Sequence, residues 1–235
     1  MRYLFYIKKF WPLYLLTAII CIAATKGADK ALTVIAENTP IVRNCTIIID
    51  AGHGGEDGGA ISCTGTAESQ INLQIALKLR DLCHILGYRT LMIRTTDESV
   101  NTEGNTIAAK KISDLKQRVR IVNKTQDAIL ISIHQNIFPE SRYHGAQVFY
   151  NQIPGAKDLA NCIQSIFVST LNPGSNRQCK RADGVYLMQN IQRIGVLVEC
   201  GFLSNPEEEA LLRQTQYQQH ICCVIAASLS AYLNT

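Results

Sequence analysis

The sequence predicts an α/β domain: a largely parallel sheet covered by helices on both faces. Three observations predict it. Short apolar runs alternate with longer stretches of helical periodicity from residue 45 onward. The runs are continuously hydrophobic, as in strands buried on both faces. Histidines and carboxylates fall where these runs end, the edge at which open α/β sheets place their ligands.

The first strand is read at residues 45–50 and runs into TIIIDAGHGGEDGGA (46–60), around which the chain is organised. Three isoleucines, Ile47 to Ile49, lead to five glycines within eight residues: Gly52, Gly54, Gly55, Gly58 and Gly59. Such density implies either turns through positive φ or close approach of another group to the backbone. The loop carries Asp50, His53, Glu56 and Asp57, groups that bind metals and move protons.

Residues 66–86 read as a helix, with Ile71, Ile75, Leu79, Leu82 and Leu86 at helical spacing and Gly87 as its stop. Residues 89–94 form a second strand and 95–111 a polar surface loop. Residues 111–124 repeat the helical pattern through Ile112, Leu115, Val119 and Val122. AILISI (128–133) is a third strand ending on His134, and 145–150 a fourth. Residues 154–171 are helical, with Pro154 suited to a first turn. A loop over 172–184, a short strand over 185–188 and the strand GVLVE (195–199) follow. Helices over 206–213 and 216–233 close the pattern.

Composition narrows the function classes. The 235 residues are 47% hydrophobic, enough for a real core. Of 23 basic residues, Arg2, Lys8 and Lys9 precede residue 10, leaving 20 basic against 19 acidic. That balance excludes the basic footprint of a nucleic-acid binder. Arg2, Lys8 and Lys9 precede the apolar FWPLYLLTAIICIAA (10–24), which reads as a signal peptide or N-terminal membrane anchor over residues 1–24. Residues 25–44 read as a linker and 45–235 as the catalytic domain. The protein is therefore expected to be exported, meeting the membrane only through its N-terminal segment. Nine cysteines without a CxxC pair argue against a structural zinc cluster. They read mostly as small, reduced, buried hydrophobes.

His53, His134 and Glu199 each lie at the end of a different strand, so three elements deliver a potential ligand or base to one edge. His84 and His220 sit inside amphipathic helices and read as structural, and His144 precedes a strand. A catalytic zinc takes three protein ligands, and His₂Glu is one standard set. Glu68, in a first helical turn after the glycine loop, is the best third candidate. Helix-dipole preference alone could also place a carboxylate there, and Glu56 and Asp57 compete.

The ordered motifs DAGHGG, Glu68 with Asn72 four residues on, MIRTTD (92–97), LKQRVRIVNK (115–124), SIHQN (132–136) and VLVECGFLSNPEE (196–208) resemble the zinc-dependent N-acetylmuramoyl-L-alanine amidases, the type 3 amidases. The resemblance spans residues 46–233. It implies a twisted, mostly parallel six-stranded sheet flanked by helices on both faces. It implies Zn²⁺ held by His53, Glu68 and His134, with Glu199 as catalytic carboxylate and Asn72 and Asn136 as supporting or substrate-orienting residues. The implied substrate is peptidoglycan, cut at the amide between N-acetylmuramic acid and L-alanine. Zinc would lower the pKa of a bound water and polarise the carbonyl, while Glu199 would transfer the proton. The positions of Gln135, Gly195 and Gln147 depart from the family's usual residues. Only eight residues separate Asn136 from Gly145, too few for the inhibitory helical insertion of division-related members. The chain thus looks most like the spore-cortex, germination-related amidases. That likeness implies stem-peptide removal before muramic δ-lactam formation, with activating or cooperating cortex-synthesis proteins. A zinc peptidase acting on the stem, or a catalytically silent wall-binding protein, is the competing reading.

Overall fold

The three isoleucines of β1 (Thr46–Ala51) lie fully buried at the centre of a six-stranded sheet. In this computed structural model residues 45–234 are described. The readings of residues 1–24 and 25–44 as export segment and linker lie outside them. The remaining elements, in chain order, are α1 (Glu68–Ile85), β2 (Arg89–Met92), α2 (Ile107–Lys124), β3 (Ala128–Asn136) and β4 (Gln147–Tyr150). Then follow α3 (Ala156–Thr170), β5 (Lys180–Arg181), α4 (Tyr186–Asn190), β6 (Ile194–Phe202), α5 (Pro206–Leu212) and α6 (Thr215–Leu233). The strand order is β2-β1-β3-β6-β4-β5, and every neighbouring pair is parallel except β4 with β6. The mostly parallel six-stranded sheet read from the sequence is therefore the observed one.

Side-chain alternation divides the core in two. Ile47, Ile49, Ile131, Ile133, Val196 and Val198 face one way, onto apolar residues of α1, α3 and α6. Ile48, Leu130 and Leu197 face the other way, onto Val122 of α2 and Leu187 and Met188 of α4. Burial of these aliphatic side chains stabilises each by about 1.5–3 kcal/mol relative to exposure. Among the described residues no helix is long and apolar enough to cross a membrane. The eight described cysteines are all free, and only Cys83, Cys200 and Cys222 are buried.

Several boundaries differ from the sequence reading. The short strand expected at 185–188 is the helix α4. Its Leu187 and Met188 are buried, which an apolar run satisfies equally well as a helical turn. The sixth strand is instead β5, inside the expected loop. Its two exposed residues carry no hydrophobic signal, and its pairing to Phe149 and Tyr150 is through backbone. The helix α2 begins at Ile107 rather than Lys111, because the Thr106 side chain caps it by accepting from the Ala109 amide. β3 runs through His134 to Asn136, with a register shift between those two residues.

A buried ion pair joins the layers. Arg118 of α2 pairs with Asp50 at the end of β1 and with Asp114 one turn away. Asp50 also accepts from the Ser132 hydroxyl of β3 at 2.7 Å. Burial opposes the Asp50 charge, but Arg118 and Ser132 overcome it and hold its carboxyl below the usual range. Arg118→Ala would leave that carboxylate buried and unpaired, a loss of about 3–5 kcal/mol of unfolding free energy. Arg118→Lys would recover only part, because the ammonium lacks the fork. Urea unfolding of the three proteins measures both.

Candidate functional site

The loop after β1 is shaped by two arginines that the sequence reading quoted within motifs but gave no role. Arg118 donates to the carbonyls of Ala51 (3.0 Å) and His53 (2.8 Å). Arg94, 4% exposed, donates to Ala51 (2.8 Å), Gly52 (3.1 Å) and Ser69 (2.8 Å). Four backbone carbonyls are thus satisfied by two guanidinium groups, Ala51 by both. The only available signal was a lone Arg closing the apolar run MI (92–93) and an Arg one place before Val119 on the apolar face of the helix.

So held, the loop puts His53 in the left-handed region at φ 62°. The ring meets two carboxylates: Nδ1 lies 3.0 Å from Asp57 Oδ2 and Nε2 lies 3.3 Å from Glu68 Oε2. Glu68 opens α1 and is locked to the loop in two ways. Its amide donates to the Ala60 carbonyl at 2.8 Å, and its Oε2 accepts from the Ala60 amide at 3.0 Å. The loop carbonyls therefore cap α1, whose N-cap residue Ala67 has no side chain able to do so.

The other Glu68 oxygen faces β3. It lies 3.0 Å from His134 Nδ1 and accepts from the Asn72 side chain and the Gln135 amide, each at 3.1 Å. Asn72, fully buried, also donates to the Gly52 carbonyl and accepts from the Gln135 side chain. It is a buried link between α1, the loop and β3, not a helix-surface amide. Two glycines make the approach possible. A Cβ at Gly59 would sit 2.6 Å from Glu68 Oε2, and one at Gly52 would sit 2.2 Å from the His134 ring. These are the close approaches that the glycine density foretold.

Nitrogen and carboxylate atoms of His53, Glu68 and His134 all lie within 4.8 Å of one another. Two imidazoles and a carboxylate are a donor set for a borderline divalent ion such as zinc. Asp57 on the far nitrogen of His53 supplies the outer partner that orients a ligating ring. The site's electrostatics point the same way. Burial opposes the His53 charge, yet Glu68 and Asp57 raise its pKa above the ordinary value. Burial likewise opposes the Glu68 charge, yet His134 and His53 hold its carboxyl far below the carboxylate range. The cluster thus demands positive charge, which protons satisfy when no cation does.

Glu199 lies on β6 directly across from His134 of β3. Its Oε2 is buried and has no hydrogen-bond partner among the described residues. Burial raises its pKa to about 7, with His134 and His53 acting to lower it and Glu68 to raise it. The other polar groups fall elsewhere. Glu56 pairs with Lys110 on the surface. His84 bonds Thr90. Among the described residues the Asn136 side chain has no hydrogen-bond partner, while its carbonyl accepts from Leu203 at 2.8 Å.

Two imidazoles, a bridging carboxylate and a separate unpartnered carboxylate, gathered where parallel strands end, define a hydrolytic α/β enzyme. The chain belongs to the N-acetylmuramoyl-L-alanine amidase family, whose model matches residues 47–231. It is 36% identical over 188 residues to the germination-specific N-acetylmuramoyl-L-alanine amidase of Bacillus subtilis (strain 168), across 79% of this chain and 78% of the relative. Its fold superposes with a TM-score of 0.77 on the CwlD amidase of Clostridioides difficile, solved in complex with the GerS lipoprotein. That match has 39% identity over 80% of this chain and 98% of that one. An N-acetylmuramoyl-L-alanine amidase from Clostridium difficile 630 matches with a TM-score of 0.72 and 28% identity, over 82% and 98%. The activity is that of the family: hydrolysis of the amide joining N-acetylmuramic acid to the L-alanine of the stem peptide.

Two outcomes follow from the geometry. Gly59→Ala strains a residue at φ 70° and drives a methyl into Glu68 and His53. Divalent-metal affinity should fall about 10- to 100-fold, read by chelator competition. Metal-free protein should also lose stability as pH rises from 4.5 through about 7, because folded Glu199 binds its proton more tightly than the unfolded chain does. Glu199→Gln should therefore stabilise metal-free protein by up to about 3 kcal/mol above pH 7 and change little below pH 4.5. Urea unfolding at pH 4 and pH 8 measures the difference.

Proposed function

We propose that this amidase is a zinc enzyme in which His53, Glu68 and His134 hold the metal and Glu199 is the catalytic carboxylate. The observation that carries this reading is the unpartnered Oε2 of Glu199 beside the three-donor cluster. A buried carboxyl left without a hydrogen bond costs stability, and active sites are where such groups are kept. Bound zinc supplies a Lewis acid that polarises the amide carbonyl and acidifies water.

The chain's own residues do the rest. Asp57 and Glu68 hold the His53 ring from both nitrogens. Asn72 and the Gln135 amide orient Glu68. Glu199, with its pKa raised to about 7, is matched to taking a proton from the attacking water and delivering it to the departing L-alanine nitrogen. The water oxygen bonds to the lactyl carbonyl carbon and the amide C–N bond breaks, so the lactyl group stays on the sugar as a carboxylate and the peptide departs as an amine. Asn136 stands at the end of β3 as a substrate-orienting residue.

The proposed biological setting is the spore cortex. It is supported by the likeness to the germination-specific amidase and to CwlD. Freed lactyl carboxylates are the groups from which muramic δ-lactam forms. The neighbour's complex with the GerS lipoprotein supports a cooperating partner for this chain as well. Residues 1–24 would export the protein as a signal peptide or membrane anchor, residues 25–44 link, and 45–235 form the catalytic domain on the extracytoplasmic side.

Incubation with purified cortex muropeptides should release intact stem peptides beginning with L-alanine. Shortened stems still attached to sugar would instead indicate a peptidase. Glu199→Gln should retain zinc while kcat falls at least about 100-fold. His134→Ala should lose zinc stoichiometry by metal analysis. Full activity in the first variant, or full zinc in the second, would remove that residue from its role.

A further inference from the structure

A groove of about 990 Å³ opens beside β4 and has no assigned role. Its polar lining includes Arg142, His144, Gln147, Asn172, Arg177 and Lys180, and no Asp or Glu lines it. Of its three cations, Arg177 and Lys180 meet no carboxylate at ion-pair distance among the described residues, which makes the groove a surface for anions.

One lining residue, Gln147, is the sheet neighbour of the proposed catalytic carboxylate. Gln147 pairs directly with Glu199 across the antiparallel β4 and β6 strands, so both side chains stand on one face of the sheet. Phe202, three residues beyond Glu199 on β6, lies under the Arg177 guanidinium at 5.0 Å. Arg177 is half-buried and held by neutral acceptors. Its Nε donates to the His144 carbonyl at 3.2 Å and its Nη1 to Gln147 Oε1 at 3.4 Å. Among the described residues no carboxylate lies within ion-pair distance of it. Glu208, the buried carboxylate on this side, is taken up by the amides of Gly145 (2.9 and 3.1 Å) and Phe202 (2.7 Å). Arg142 meets Glu140 at 3.6 Å in solvent, and Lys180 is exposed, so these two steer rather than grip. A planar guanidinium fixed on one side by a ring and two oxygens presents the rest of its fork to a carboxylate.

We propose that this groove is the subsite for the anionic stem peptide, with Arg177 binding a free carboxylate on the leaving-group side of the scissile amide. The proposal rests on the amidase activity and adds the group that the enzyme reads. One strand spacing of roughly 5 Å separates Glu199 from β4, and an extended peptide advances roughly 3.3–3.6 Å per residue. A side chain carried next to β4, as Arg177 is through Gln147, suits the residues just after L-alanine. In a peptidoglycan stem the next residue is joined through its side-chain carboxyl and keeps its α-carboxylate free. Gln147 contributes by being neutral: it positions Arg177 without cancelling its charge.

The test compares two muropeptides that differ only at this second stem residue, one with the free α-carboxylate and one with the carboxamide. Both are offered to the full-length, zinc-loaded protein. Wild type should favour the free acid about 10- to 100-fold in kcat/KM, mostly through KM. Arg177→Gln should bring the ratio near one, and Arg177→Lys should keep part of it. Equal rates on both substrates in wild type, or an unchanged ratio in Arg177→Gln, would overturn the subsite while leaving the amidase activity standing. If Arg177→Gln does not fold, the wild-type ratio and calorimetric binding of the two product peptides decide. Hydrolysis of neither substrate would overturn the amidase reading itself.

Discussion

The ion pair between Asp50 and Arg118 is the constraint on which the rest of the site depends. Asp50 terminates the central strand, and its carboxylate has left water to do so. A charge in that position is tolerable only because a guanidinium with several donors meets it and a serine from the adjacent strand completes its coordination. The same guanidinium holds the carbonyls of Ala51 and His53. The strand's final turn, the direction of the His53 ring and the packing of α2 are therefore one structure. Arg94, two residues past β2, repeats the device on Ala51 and Gly52. Polar backbone that would otherwise be orphaned beneath the loop becomes the scaffold of an active site.

Above this scaffold lies a second electrostatic arrangement with the opposite character. Glu68 is satisfied five times over, by two imidazoles, two backbone amides and Asn72. Glu199, across from His134, is satisfied at one oxygen by nothing among the described residues. One carboxylate is thereby kept ionised and immobile, and the other is kept near neutral titration and available. In the proposed mechanism, two like groups whose surroundings push them apart in this way divide the labour of acid–base chemistry. The proposed subsite beside β4 extends the same logic outward, from reacting atoms to the part of the substrate that carries its own charge.

Much of this was legible in the residue order. Buried strands announce themselves by continuous aliphatic runs, as Ile47 to Ile49 do, and amphipathic helices by their period. The placement of His53, His134 and Glu199 after or within such runs was enough to put them at one edge. What the sequence obscured were elements without an apolar signal of their own. β5 is two exposed basic residues, and its existence is a matter of backbone pairing. The run at 185–188 carried the signal of burial but not of conformation, and folded as α4.

The sequence by itself determined the layered fold, the family and the cast of polar residues, because hydrophobic period and motif order are local properties. Only the tertiary structure decided how those residues divide. It brought Asp57 behind His53, turned Asn72 inward, and gave Arg94 and Arg118 their backbone acceptors. It also left Arg177 lining a groove with no carboxylate at ion-pair distance among the described residues. Each of these depends on which distant segment stands within hydrogen-bond reach. That is set by strand order and helix packing, and no spacing along the chain encodes it.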